Sequence, residues 1–312
     1  MVALLAVPPA AEAVVHALRW SPQEAVAQPR PATPKRPKGS KKKLEAYRGL
    51  GAWIDIYDRA KWRHPGRTVA RLDRRGVGTI FLQTSNYGSR GPIKFPRPTA
   101  RYLRAAHARG IHVVGWYVPD FIHFRRDLRR SVAAIRFQEP GGHRFDSFGL
   151  DIEANILPPG PRTRRLLRLS RAIRRAAGRA YPLGAITPSP RGMELSPTFW
   201  PGFPYGRLAR HFDVFVPMAY WTYRAGGERG ARRYISRSVE LVRRGTGRPK
   251  VPIHMIGGLA GLAGPGEVRG FVKAVRNSRI IGASLYDADT TGRRGWAIIR
   301  RLAKDPSGSF RH

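Results

Sequence analysis

From Gly49 onward the chain alternates short apolar runs with longer stretches in which apolar residues recur every three or four positions. The short runs have the length and composition of strands, and the longer stretches have the spacing of one helix face. Strands are predicted over 52–57, 77–84, 111–118, 145–153, 181–187, 213–221, 251–256 and 280–286. Helices are predicted over 68–75, stopped by Gly76, over 99–109, stopped by Gly110, and over 126–136. A fourth covers 162–177, with Leu166, Leu169, Ile173 and Ala176 on one face. Three more run through Ile235, Val239 and Val242, through Val268, Phe271 and Val275, and through Trp296, Ile299 and Leu302. Strict alternation of this kind predicts an α/β chain folded as a single-domain (β/α)8 TIM barrel. An open doubly wound sheet is the other arrangement, disfavoured because no phosphate-binding glycine fingerprint follows strand one.

The pattern also divides the chain. Residues 1–48 read as a leader and a basic linker rich in Pro, Lys and Arg, residues 49–306 as the barrel, and 307–312 as a tail. In the leader, the apolar runs 2–7 and 13–18 are too short for a membrane span. Ala11-Glu12-Ala13 resembles a signal-peptidase site, but no basic segment precedes it, so an export leader and a plain flexible leader both stay open. Secretion or attachment to the cell envelope is the compartment this suggests. The connection between strands five and six, rich in Pro, Phe and Tyr around 199–205, has the make-up of a lid or a binding wall.

Strand four carries the candidate chemistry. In Phe145-Asp-Ser-Phe-Gly-Leu-Asp-Ile-Glu153, alternation puts Phe148, Leu150 and Ile152 on one face and Gly149, Asp151 and Glu153 on the other. The apolar face suits covering helices, and the acidic face would then point inward. Barrel active sites lie at the carboxyl ends of the strands. That rule adds Asp55, Asp58, Gln83, Asn86, Tyr117, Asp120, Thr187, Ser189, Met218, Tyr220, His254, Tyr286 and Asp287 to the rim. Acids beside aromatics suit a sugar, whose hydroxyls need hydrogen-bond partners and whose ring faces pack on aromatic rings. Two carboxyls so close together repel, which raises one pKa and leaves a proton available for general-acid work. Glu153, the outermost, is expected to be the donor, with Asp151 beside it to orient and stabilise charge. A salt bridge with an arginine, or an oxygen-ligated divalent ion, would explain the same pair. His254, inward by parity, is expected to be a hydrogen-bonded core residue, and Trp53 and Trp116 either line a subsite or pack.

Composition changes this picture in two ways. The chain has 58 Lys and Arg against 20 Asp and Glu, a formal charge of +38, which implies attraction to anionic polymers unless arginine is simply its solvating residue. It has no cysteine, and its nine histidines lack zinc-type spacing, so no metal site and no cofactor are expected. A nucleic-acid partner is disfavoured by the lack of a helix-turn-helix, RRM or zinc motif.

Asp146-Ser-Phe-Gly-Leu-Asp151-Ile-Glu153 resembles the fourth-strand signature of the family 18 glycoside hydrolases, the chitinase group, in which Asp-x-x-Asp-x-Asp-x-Glu carries the acid. Asp146, Asp151 and Glu153 fall on acidic positions of that signature, and Gly149 stands where its second acid would be. Met218-Ala-Tyr220 resembles the family's strand-six Met-x-Tyr, which implies a tyrosine holding the substrate's acetamido group. Tyr286 stands where the family has a tryptophan under the sugar, while Val114-Gly-Trp-Tyr-Val118 lacks its Ser-x-Gly-Gly. The resemblance implies a glycoside hydrolase cleaving a polysaccharide, an amino-sugar or cell-envelope glycan, with Glu153 as general acid and Asp151 as its partner. Met218, Tyr220, Tyr286, Gln83, Asn86, Asp55, Asp120 and Asp287 are the expected substrate contacts, and an anionic cell-wall polymer is a further expected partner. If the sugar does not assist its own cleavage, a second carboxylate is needed, with Asp55, Asp120 and Asp287 as candidates. A glycan-binding barrel without turnover and a basic nucleic-acid binder are the alternatives.

Overall fold

The computed structural model describes residues 42–303, so the leader, most of the expected linker and the tail lie outside the described residues. Eight strands alternate with helices: β1 (Gly49–Ile54), α1 (Arg59–Arg63), α2 (Pro65–Asp73), β2 (Thr79–Asn86), α3 (Pro96–His107), β3 (His112–Val118), α4 (Phe124–Arg136) and β4 (Ser147–Asp151). They continue as α5 (Pro159–Ala177), β5 (Leu183–Thr187), α6 (Pro190–Leu195), α7 (Tyr205–Leu208), β6 (Val214–Pro217), α8 (Gly227–Thr246), β7 (His254–Leu259), α9 (Pro265–Asn277), β8 (Gly282–Tyr286) and α10 (Arg293–Ile299). The strands run in the order β6-β5-β4-β3-β2-β1-β8-β7, with every neighbouring pair parallel. Parallel bridges from Phe215 to Ile253 and from Met218 to Ile256 join β6 to β7 and all but close the ring. The chain is a (β/α)8 barrel.

Alternation along each strand sorts the core into two layers. Phe148, Leu150 and Ile152 pack outward with Leu166, Leu169 and Ile173 of α5 in the layer between strands and helices. A second cluster fills the barrel, with Trp53, Phe81, Val114, Trp116, Ile186 and Val216 among its members. Its amino-terminal end is plugged by a 3-10 turn over Lys42–Tyr47, part of the stretch expected to be linker. Tyr47 is fully buried there, its hydroxyl 2.7 Å from Ser147 Oγ.

Several strand boundaries differ from expectation, and glycine explains two of them. β1 begins three residues earlier than predicted because Gly49-Leu-Gly51 has no strand signature, yet a Cβ at Gly51 would lie 2.7 Å from the Phe81 ring. The ring of Phe81 occupies the space a side chain would need. β7 runs on through Gly257 and Gly258, expected to be loop, because both are packed against the Trp221 indole, at 2.8 Å from where each Cβ would stand. β6 stops at Pro217, and Met218 to Trp221 form its rim. β4 ends at Asp151, with Glu153 just beyond the last strand hydrogen bond, Ile152 N to Ile186 O at 2.8 Å.

Candidate active site

The carboxyl ends of the strands open into a cavity of about 350 Å³ that collects residues from all eight strands or their ends. Its aromatic lining is built from below. Trp53 stacks on Phe81 with centroids 4.2 Å apart and planes within 6°, and its Nε1 donates to Ser284 Oγ at 2.8 Å. Trp116 meets Trp53 edge-on at 5.6 Å, and Tyr286 lies 6.1 Å from both Trp53 and Tyr220. Trp116 Nε1 is buried without a hydrogen-bond partner, so it offers a donor to whatever fills the cavity.

Asp151 and Glu153 are the acids of this cavity. Asp151 is 5% exposed, and its Oδ1 has no hydrogen-bond partner. Burial first, and the neighbouring Glu153 charge second, push its carboxyl well above the ordinary range. Glu153 is exposed at the lip, yet loss of water around its carboxyl pushes it up as well. Two ionised groups here would be costly, so the pair favours keeping one proton. The Tyr220 hydroxyl is held un-ionised, by burial and then by the charges of Asp151 and Glu153.

Gly149 lies one step below this pair. A Cβ there would come within 2.9 Å of Ile186 Cδ1, so an isoleucine of β5 fills the space into which an acid at this position would project. Asp146 has left the site altogether. It sits at the amino-terminal end of β4, where burial would raise it but hydrogen bonds with His107, His112 and Val113 N hold it well below the usual carboxylate range.

The cavity also brings together Gln83, Asn86, Met218, Tyr220 and Tyr286 as expected contacts. Gln83 Oε1 accepts from Ile56 N at 2.9 Å, which leaves its amide nitrogen as the free end. Asn86 Nδ2 donates to Tyr57 Oη at 3.1 Å. Asp55 stands behind the wall and accepts from Tyr286 Oη at 3.0 Å and from Tyr57 N at 2.7 Å. Asp287 caps its own turn, accepting from Asp289 N, Thr290 N and Thr290 Oγ1. Asp55, Asp58 and Asp287 bring carboxylate oxygens within 4.8 Å of one another, and burial, with Lys61 opposing, pushes Asp58 up to about 6. Lys61 pairs with Asp58 at 3.3 Å and so answers part of that charge.

Asp120 is not brought to the cavity. It is 4% exposed, and its oxygens accept from Ile122 N, His123 N, the His123 ring and Arg126. Burial works against it, yet those bonds hold the carboxyl far below its ordinary value. His254 is a core residue, with Nδ1 on Tyr47 O at 2.8 Å and Nε2 on Ser284 Oγ at 3.0 Å. Burial pushes it down to about 4, so it stays neutral. Trp53 and Trp116, for which packing was an equal expectation, both pack and line the cavity. Sequence reasoning missed Tyr57, Tyr87 and Leu259 on the lining. Tyr57 had a usable signal, being two residues from Asp55, whereas Leu259 lay beyond the expected end of β7.

A second cavity of about 400 Å³ adjoins the first and shares Glu153, Met218 and Tyr220 with it. Phe199, Ser196, Met193 and Ser189 of the β5–β6 connection, for which a lid or a binding wall was expected, form its other side. Glu153 therefore faces both compartments.

Solved structures give this arrangement its context. A chitinase from Bacteroides thetaiotaomicron superposes with a TM-score of 0.58 at 10% identity, covering 85% of this chain and 99% of that one. The fold the two share is the (β/α)8 barrel. An endo-β-1,4-mannanase from Thermotoga petrophila matches with a TM-score of 0.60 at 10% identity, covering 83% of this chain and 77% of that one. The spore cortex-lytic enzyme of Bacillus cereus matches at 0.61 and 10% identity, over 85% and 76% of the two chains. The chitinase-like resemblance in fold is thereby supported. No protein-family model matches the sequence, and no curated protein matches it.

Proposed function

We propose that this barrel is a glycoside hydrolase cleaving a polysaccharide, an amino-sugar or cell-envelope glycan, with Glu153 as proton donor and Asp151 as its electrostatic partner. The observation that carries the reading is the pair itself: two carboxyls raised by burial, Asp151 also by the Glu153 charge, at the mouth of an aromatic-lined cavity on the carboxyl-end face of the barrel. Glu153 lies between two compartments, which suits a donor to the oxygen joining two sugars. Trp53, Trp116 and Tyr286 would pack the ring faces, and Tyr220 and Trp116 Nε1 would donate to the substrate.

A sugar whose own acetamido oxygen attacks the anomeric carbon needs no second enzyme acid, and Asp151 would then stabilise the charge that forms. This route is favoured because the other candidate acids are engaged elsewhere: Asp120 by His123 and Arg126, Asp287 by its own turn, Asp55 by Tyr286. The engaged acids and the Ile186-filled space beside Gly149 also favour a second reading, a barrel that binds glycan without turnover. Incubation with amino-sugar and neutral polysaccharides separates the two. Release of reducing ends by the wild type, reduced at least 100-fold in Glu153→Gln, is the expected result. Binding of a glycan with no release from any of them would establish the second reading instead.

A further inference from the structure

The helix after the acid-bearing strand has an unusual composition. No Asp or Glu occurs between Glu153 and Glu194, and α5 carries seven arginines. Three of them serve the fold. Arg162 is buried against the Trp200 ring at 3.8 Å and donates to Phe199 O. Arg165 donates to the carbonyls of Phe121 and Ile122 at 3.2 and 3.1 Å, and Arg174 pairs with Asp213 at 2.6 Å. The other four, Arg164, Arg168, Arg171 and Arg175, are exposed and meet no carboxylate or carbonyl among the described residues.

These four are not scattered. At 3.6 residues per turn, positions i, i+4, i+7 and i+11 share a stripe roughly 60° wide and about 16 Å long, with charges about 4.5 to 6 Å apart along it. All four line one groove of about 560 Å³ on the outside of the barrel, with Phe124, Leu167 and Ala172 as its apolar lining and no acid. The catalytic cavity, by contrast, is lined by two acids and no Lys or Arg. The groove and the site therefore select opposite charges.

We propose that this groove docks a linear, base-free polyanion of the polyol-phosphate type, a wall-polymer chemistry, and so holds the barrel on the matrix that contains its glycan. The docking step stands by itself; its purpose rests on the hydrolase reading. A row of guanidiniums offers paired donors to successive phosphate oxygens, and their spacing suits a flexible chain with one charge per repeat. Nucleic acid would call for open aromatic faces on which bases stack. The groove's one aromatic ring, Phe124, is already covered by Arg168 at 4.2 Å. A lipid surface would call for apolar anchors, and α5 contributes none of the large exposed hydrophobic residues.

Binding of fluorescent poly(glycerol phosphate) to the full chain, measured by anisotropy from 50 to 400 mM NaCl, tests this. The logarithm of the affinity should fall linearly with log salt, with a slope of about 0.7 per phosphate contact. Replacing Arg164, Arg168, Arg171 and Arg175 together by Gln should weaken binding at least 10-fold at 50 mM salt and flatten the slope by roughly 3. The double variants Arg164→Gln/Arg168→Gln and Arg171→Gln/Arg175→Gln should each show part of the loss, which covers the case of a quadruple variant that fails to fold. A charge-matched control with Arg67, Arg71, Arg74 and Arg101 replaced by Gln should keep both affinity and slope. The proposal is overturned by no binding at 50 mM salt, by equal loss in the control, or by single-stranded DNA, polyuronate or anionic vesicles binding more tightly. Glu153→Gln should bind the polymer like the wild type, so a failure of docking is distinguishable from a failure of catalysis.

Discussion

A carboxyl buried without a partner should leave a mark on stability as well as on chemistry. Asp151 is raised far above its ordinary value of about 4, so in the unfolded chain it ionises while the native protein keeps the proton. Above pH 4 the unfolded state therefore binds fewer protons, and stability contributed at this site falls as pH rises. Asp151→Asn removes that slope. The variant should exceed the wild type by about 1–3 kcal/mol at pH 7, with the difference closing towards pH 4. Melting temperatures of the two proteins across pH 4 to 8 would show it, and a variant less stable at pH 7 would mean that the carboxylate has a partner. The pair itself was legible because period-two alternation put Gly149, Asp151 and Glu153 on one face. Its electrostatics were not, since the deeper acid loses more water than sequence spacing reveals. Nor was the fate of Asp120, which depended on a loop that folds His123 and Arg126 back onto it.

At the scale of elements, helices were easier to read than strands, for a physical reason. A helix face repeats over successive turns, as Leu166, Leu169 and Ile173 do, whereas a barrel strand of four to eight residues has too few positions to fix its ends. Glycines worsened this: Gly51, Gly257 and Gly258 are strand residues because larger neighbours occupy their missing side chains. The same argument predicts a stability difference between two helical glycines. A Cβ at Gly270 of α9 would overlap the backbone of Glu228 at the start of α8, whereas one at Gly66 of α2 meets nothing within 4 Å. Gly270→Ala should cost about 1–3 kcal/mol by overpacking, lowering the melting temperature by several degrees. Gly66→Ala should be neutral or stabilise by up to about 1 kcal/mol through the unfolded state. Thermal unfolding of both variants checks this, and equal effects would show that α8 and α9 can separate at little cost.

At the scale of the molecule, the barrel was legible in the order of its units and the charge in its composition, but the sorting of that charge appears only in three dimensions. Arginines that hold carbonyls or carboxylates alternate along α5 with arginines that face water, and the cavity that opens above β4 carries acids alone. A formal charge of +38 on 312 residues must nonetheless repel itself. The ion pairs are too few to offset it: acids number 20 against 58 basic residues, and solvent screens exposed pairs such as Lys273 with Glu228. Net repulsion acts over the Debye length, about 30 Å at 0.01 M salt and about 8 Å at 0.15 M, so low salt lets charges on opposite sides of the barrel act on one another. Unfolding spreads the same charges apart, and repulsion therefore favours the unfolded chain most where screening is weakest. Salt should accordingly stabilise this protein, with the melting temperature rising between 0.01 and 0.3 M NaCl and most of the rise complete by 0.15 M. A polyvalent anion that bridges arginines should reach the same stability at a lower ionic strength. A melting temperature that fell over the same range would show that attractive pairs outweigh the net charge.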